Sequence, residues 1–234
     1  MRSDNTGNLY VVKGRPEEGS FYPCVVAHTD TVHEITGRLV IVRVGDALTG
    51  MDSLTGRPSG CGGDDKVGVY IALEMLRRLP ACKAAFFRDE ESGCIGSRLA
   101  DMAFFEDVAF VLQADRMGNS DFIKHTNGVS VYSQEFYSAI RDTLNTYGYS
   151  PEYGVSTDVG QLKLNGLGVS CANVSCGYWR HHSADEYVNL HDVETCLNLF
   201  YDLFSAFCHR QWPHRADPDE FDRYYGGQGG QGGR

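Results

Sequence analysis

Short apolar runs recur along the chain at Tyr22–Ala27, Ala84–Phe87, Val108–Gln113 and Gly168–Ser175. Runs of four to eight apolar residues, rich in Val, Ala and Phe, read as strands buried on both faces. Asn8–Lys13 reads as a shorter strand and Leu39–Val44 as one arm of an antiparallel hairpin. Between them the period changes. Val67–Arg78 repeats as a helix with Val67, Ile71, Met75 and Leu76 on its buried side and Pro80 just past its end. Ser133–Tyr147 carries the stripe Phe136, Tyr137, Ile140 and Leu144 and is closed by Gly148. Val193, Cys196, Leu197, Phe200, Leu203, Phe204 and Phe207 mark a final core-packing helix to which no chemistry is assigned. Ser97–Phe105 reads as a short helix. Ser156-Thr157-Asp158 either caps a helix reaching Leu162 or lines a cleft, and N-cap preference favours the cap.

Strands alternating with helices predict an α/β fold with a substantially parallel sheet. At 234 residues the chain is one domain with a tail: 1–212 is the expected catalytic domain and 213–234 a flexible polar tail ending in the Gly/Gln-rich Gly226–Arg234. A net charge of −10 and no basic patch exclude nucleic acid and anionic membranes as natural partners. The N-terminus shows no apolar leader and no run reaches the length of a membrane span, so a cytoplasmic location is expected. Eight cysteines are scattered rather than framed, which suits small buried hydrophobes. Cys171 and Cys176 have the spacing of half a zinc site, but no second pair completes one.

The polar residues that end these runs carry the chemistry. The run at Phe87 stops in Asp89-Glu90-Glu91 followed by Gly93 and Gly96. Three adjacent acids repel one another unless a positive charge holds them, most simply a metal ion. Tyr22–Ala27 ends at His28-Thr29-Asp30, with His28 and Asp30 on one side of the pleat, and Val108–Gln113 runs on to Asp115. Parallel strands deliver their carboxyl ends to one edge, where open α/β sheets place their sites. A Gly-rich turn brings Asp64 and Asp65 to the start of a helix, where capping needs only one of the two. Tyr178, Arg180, His181 and His182 crowd the segment after the last predicted strand.

In order, Ala27-His28-Thr29-Asp30-Thr31-Val32, Gly63-Asp64-Asp65-Lys66-Val67-Gly68, Asp89–Ser97, Asp115 and His182–Val188 resemble the di-zinc exopeptidase superfamily, in its branch containing peptidase T and glutamate carboxypeptidase. Asp4–Leu9 is similar to that family's lead-in. The resemblance implies a three-layer α/β/α sandwich around a mixed, mostly parallel sheet. It implies two divalent ions, zinc by preference with cobalt or manganese fitting the same donors. Asp64 would bridge them, Glu91 and His182 would complete one ion's ligands, and His28 and Asp115 the other's. Glu90 would be the general base and Asp30 would orient His28. The branch also carries a lid domain between its fourth and fifth ligands. Here Asp115 and His182 lie 67 positions apart, too few for that domain, so a single-domain form is expected. In the lid's absence Tyr178, Arg180 or His181 is expected to stabilise the oxyanion.

The implied activity is a metal-dependent exopeptidase or amidohydrolase that cleaves an amide near one end of a small peptide or acylated amino acid, an aminopeptidase by preference. Two other readings stand beside it: an acyltransferase resembling single-zinc glutaminyl cyclases, and a non-catalytic scaffold. Two metal sets argue against the first and an intact Glu90 against the second. Oligomeric state is not readable from the residues.

Overall fold

Each of the expected apolar runs becomes a buried strand, and the strand ends converge. The computed structural model describes residues 1–34 and 37–217; the Gly226–Arg234 reading lies outside them. In chain order the elements are β1 (Arg2–Ser3), β2 (Leu9–Lys13), β3 (Tyr22–His28), β4 (Leu39–Val44), β5 (Ala47–Asp52), β6 (Pro58–Ser59), α1 (Gly63–Arg78) and β7 (Cys82–Phe87). Then follow α2 (Ile95–Arg98), a 3-10 turn (Met102–Phe105), β8 (Val108–Arg116), β9 (Asp121–Thr126), β10 (Val129–Ser130), α3 (Gln134–Tyr147) and β11 (Ser150–Tyr153). The last are α4 (Asp158–Leu164), β12 (Cys171–Ser175), β13 (Tyr178–Trp179), β14 (Tyr187–Asn189) and α5 (Leu190–Phe207).

The main sheet runs β1-β2-β7-β3-β8-β12-β9-β10, with β11 pairing β9. Its centre, β7-β3-β8-β12, is parallel, and β2 and β9 join this centre antiparallel on either side. The parallel centre is buried on both faces, as such strands must be. Alternation along β8 shows how. Phe110 stacks on Phe204 of α5 and packs against Phe136 of α3, whereas Gln113, three positions on, bonds the start of α4. Helices therefore cover both faces, giving the expected three layers.

The helix ends follow their local chemistry. Ser133 Oγ accepts from Phe136 N at 3.1 Å to start α3, and Gly148 closes it at φ +78°. The single helix expected over Ser97–Phe105 is broken instead into α2 and the 3-10 turn. Asp101 is the reason: its side chain caps the turn through Ala103 N while its own N–H donates to Tyr10 Oη. The expected hairpin arm Leu39–Val44 is β4, paired antiparallel with β5, and belongs to a second sheet of order β13-β14-β5-β4, with β6 on β5, whose extension to β14 and β13 was not legible in the sequence. This sheet carries the β13–β14 loop that holds Arg180–Glu186. Between Asp115 and His182 the chain builds only sheet strands, α3 and α4, so the fold is a single domain. Among the described residues no helix is long and apolar enough to cross a membrane. All eight cysteines are free, Cys171 and Cys176 among them.

Candidate metal centre

Three parallel neighbours, β7, β3 and β8, deliver Glu90 and Glu91, His28, and Asp115 to one sheet edge. The start of α1 adds Asp64, and the β13–β14 loop adds His182. Asp64 lies between the two imidazoles: Oδ1 is 3.0 Å from His28 Nε2 and Oδ2 is 3.3 Å from His182 Nε2. On one side His182 Nε2 is also 3.0 Å from Glu91 Oε2, and on the other His28 Nε2 is 3.6 Å from Asp115 Oδ1. All five residues read from the sequence as ligands are thus within contact range of a common point at Asp64.

Asp65, its neighbour, lies within 4.8 Å of donor atoms of His28 and Asp115, but both of its oxygens accept backbone N–H groups. One oxygen accepts from His28 N at 3.0 Å and the other from Gly68 N at 2.9 Å, so it pins β3 to the first turn of α1. The acid doublet divides as its position suggests, one carboxylate bonding the first turn of the helix and one facing both imidazoles. A similar division splits Asp89-Glu90-Glu91. Asp89 adopts φ +55° and turns to the Arg88 guanidinium, which leaves the two glutamates facing inward.

Asp30 touches both His28 and the glutamate turn. Its oxygens accept from Glu90 N at 3.0 Å and Glu91 N at 3.1 Å, and Oδ1 is 3.4 Å from His28 Nδ1. The closest Asp30 partner of His28 Nδ1 is the backbone carbonyl, at 3.1 Å, so the residue holds the imidazole mainly through its main chain and the glutamate turn through its carboxylate. Burial would raise its pKa, but His28 and the Glu90 N–H outweigh that and hold it at about 2.

Several supporting groups carry no sequence assignment. Glu186 is fully buried; Oε1 accepts from Asp64 N at 3.1 Å and Oε2 from Gly62 N at 2.5 Å, while His33 Nε2 lies 3.1 Å away. An anion at the N-terminus of α1 meets unpaired N–H groups there and a favourable dipole. The turn it holds admits no side chain at Gly63, where a Cβ would come within 2.7 Å of Val188 Cγ2. Gln113 and Thr157 both donate to Asp115 Oδ2, at 3.0 and 3.2 Å, and Asn173 pairs with the Asp115 backbone. The cap reading of Ser156-Thr157-Asp158 is overturned: Thr157 precedes α4 without a side-chain cap bond because Asp115 and Gln113 take its hydroxyl. In the sequence Gln113 showed only as a polar residue closing an apolar run, Thr157 in the cleft-lining alternative, which its place in the pocket wall supports, and Glu186 within the His182–Val188 match.

The remaining candidates differ in placement. Tyr178 is buried and its hydroxyl donates to Asp115 Oδ1 at 3.2 Å. Arg180 is exposed, at φ +54°. His181 lines the pocket of about 110 Å³ that opens on Asp64, Glu90, Glu91 and Asp115, and its buried Nδ1 has no hydrogen-bond partner among the described residues. His182 leaves 46% of its side chain exposed.

Electrostatics test whether the donors suit a cation. Burial raises the pKa values of Asp65, Glu91 and Asp115, with neighbouring carboxylates adding to it. Burial, helped by Asp115 and Asp158, raises Glu90 to about 8; burial also brings Asp158 to about 7. Burial should lower His28, yet Asp115, Asp30 and Asp64 drive it upward. So many buried acids around two imidazoles form a site that gains from a bound cation. Two trios, His28–Asp64–Glu91 and His28–Asp65–Asp115, each offer ligand atoms that all lie within 4.8 Å of one another. Imidazole and carboxylate are the donors that zinc and its neighbours take. The residues fit a divalent ion.

Comparison with known proteins places this geometry. The fold is similar to that of a tripeptidase from Staphylococcus aureus, at 11% identity, TM-score 0.70, covering 89% of this chain and 88% of that one. It is also similar to aminopeptidase PepT from Bacillus cereus (12%, TM-score 0.66, 85% and 84%) and to an aminopeptidase from the archaeon Desulfurococcus kamchatkensis (16%, TM-score 0.63, 96% and 87%). No curated protein matches the chain. At these identities the structural likeness shows the fold alone. The family model described as M42 glutamyl aminopeptidase matches residues 55–199, more than half of the chain, a span holding Asp64, Glu90, Glu91, Asp115 and His182. The chain belongs to the M42 glutamyl aminopeptidase family of metal-dependent aminopeptidases.

Proposed function

We propose that the chain removes the N-terminal residue from small peptides with two divalent ions, zinc by preference, held by His28, Asp64, Glu91, Asp115 and His182. The observation that carries this is Asp64, with one carboxylate oxygen turned to each histidine. In this reading Asp64 is shared, Glu91 and His182 serve one ion, and His28 and Asp115 the other. Bound ions would act as Lewis acids, polarising the scissile carbonyl and lowering the pKa of water.

The chain's own residues do the rest. Glu90 takes a proton from the attacking water and passes it to the leaving amine. Without metal, burial and the Asp115 and Asp158 carboxylates push its pKa up to about 8, and bound cations would draw it back toward the ionised form that a base needs. The Cys94 thiol donates to Glu90 Oε1 at 3.4 Å and fixes the side chain. Asp30 holds the Glu90 backbone, so the base and ligand Glu91 move as one unit. Among the oxyanion candidates, His181 is best supported, because its buried Nδ1 is unpartnered and its ring lines the pocket. Tyr178 acts through its bond to Asp115. Two sets of ligands, in a family of aminopeptidases, do not favour the single-zinc cyclase or scaffold readings.

Metal analysis and kinetics test this together. Two ions per chain are expected, falling in Glu91→Ala and His182→Ala. Glu90→Gln should keep both ions and lose about 10²–10⁴-fold in kcat, the range of general-base catalysis. A metal-loaded Glu90→Gln protein with wild-type kcat would refute the assignment.

A further inference from the structure

Three of the segments that carry candidate ligands meet at one buried carboxylate to which no step of the reaction is assigned. We propose that Glu186, with His33 against it, is a positioning residue that sets both ion sites at once. The proposal rests on the two-ion reading above, in which Asp64 is shared.

The first segment is the Gly62–Asp64 turn. Glu186 Oε2 accepts from Gly62 N at 2.5 Å and Oε1 from Asp64 N at 3.1 Å, so one carboxylate spans the turn and holds the main chain of Asp64 directly. The second is the β13–β14 loop that carries His182. Glu186 closes this loop: its N–H donates to Ser183 O at 3.2 Å, and its own carbonyl accepts from Thr49 Oγ1 of β5 at 3.2 Å. The third is the chain that leaves β3 just after His28. There His33 brings Nε2 to 3.1 Å from Glu186 Oε2. Its ring fills the place of a side chain at residue 60, where a Cβ on Gly60 would come 2.0 Å from His33 Cε1.

Asp64 decides what this junction controls. Its Oδ1 lies 3.0 Å from His28 Nε2 and its Oδ2 3.3 Å from His182 Nε2. A shift of its main chain therefore carries both oxygens with it. Burial makes the hold exacting. Glu186 is 0% exposed, so its charge is compensated by these N–H groups and the His33 ring rather than by water. Both N–H groups belong to the start of α1, where helix geometry leaves donors unpaired, and hydrogen bonds to an ionised acceptor are the stronger kind. Glutamine at this position would offer one acceptor oxygen and turn an amide N–H toward one of the two donors.

The test is zinc binding to the full-length, metal-stripped protein, measured for each ion by competition with a chromogenic chelator. Wild type should take up two ions per chain. Glu186→Gln should weaken both by at least about tenfold, the low end for an outer partner of a metal site. Leu144→Ala, which opens the core on α3 away from the ligands, should lose stability and keep both affinities; this separates an anchor of the ligands from a residue that only stabilises the fold. A folded Glu186→Gln protein in which neither ion, or only one, is weakened overturns the proposal. So does an equal loss of affinity in Leu144→Ala. If Glu186→Gln does not fold, His33→Phe decides, because it keeps a ring beside Gly60 and removes the nitrogen that faces Glu186. Both ions weakened about tenfold there would support the proposal, and wild-type affinity for either would overturn it. Wild-type protein that takes up fewer than two ions would instead refute the two-ion reading, and this proposal with it.

Discussion

Asp30→Asn isolates the residue on which the site's geometry converges. The carboxylate accepts two backbone N–H groups, from Glu90 and Glu91, and faces His28 Nδ1. Asparagine has the same shape but only one acceptor oxygen. Its amide nitrogen must then oppose one of the N–H donors or the imidazole. One hydrogen bond to a charged acceptor is lost, about 1.5–3 kcal/mol, and the other becomes neutral and weaker. A total near 3 kcal/mol is therefore expected. For a chain of this length that lowers Tm by roughly 6–12 °C, at about 2–4 °C per kcal/mol. His28 Nδ1 keeps its 3.1 Å bond to the residue-30 carbonyl, so removing the charge of the nearby carboxylate should weaken metal binding at the proposed His28 site by about 10-fold, the low end for an outer partner. Thermal unfolding of the metal-free proteins measures the first effect, and competition with a chromogenic chelator the second. A variant within 1 °C and twofold of wild type would refute the claim that Asp30 organises His28 and the glutamate turn.

Asp4 provides a pH test away from the metals. Burial would raise its pKa, but bonds from Thr6, Asn8 and Tyr10 hold it at about 2, below the ordinary 3.8. A depressed pKa contributes stability that is complete above the unfolded value and lost as pH falls through the folded one. The shift corresponds to at most about 2 kcal/mol. Asp4→Asn should thus melt lower than wild type near neutrality, with the gap closing between pH 4 and 2; a pH-independent gap would contradict this. In the core, Phe110→Ala removes a fully buried ring packed against Phe136 and Phe204. A cost of about 3–5 kcal/mol is expected in denaturant unfolding, and less than 1 kcal/mol would show that α3 and α5 repack freely.

Much of this was legible in local pattern. A strand buried on both faces must be apolar along its length, so Tyr22–His28, Cys82–Phe87 and Val108–Arg116 announce themselves. The abrupt arrival of His28, Glu90, Glu91 and Asp115 at their ends is equally local, because parallel strands share an edge. α5 needed only its helical stripe, and α3 only its stripe with Ser133 and Gly148 at its ends.

Division of labour among neighbours was not legible in local pattern, and only the family resemblance suggested it, since adjacent residues of one type differ only in where the backbone points them. Asp89 turns away at φ +55° while Glu90 and Glu91 face inward, and Asp65 bonds β3 and its own helix while Asp64 meets both histidines. Thr157 has the composition of a cap, and tertiary contact with Asp115 and Gln113 overrides it. Glu186 reads as one more loop acid; only the second sheet, joining β14 to β5 far back in the chain, buries it under the start of α1. Apolar periodicity and strand-end chemistry are properties of short stretches and survive in the sequence. The partner that satisfies each buried polar group lies up to more than a hundred residues away, and folding alone brings the two together.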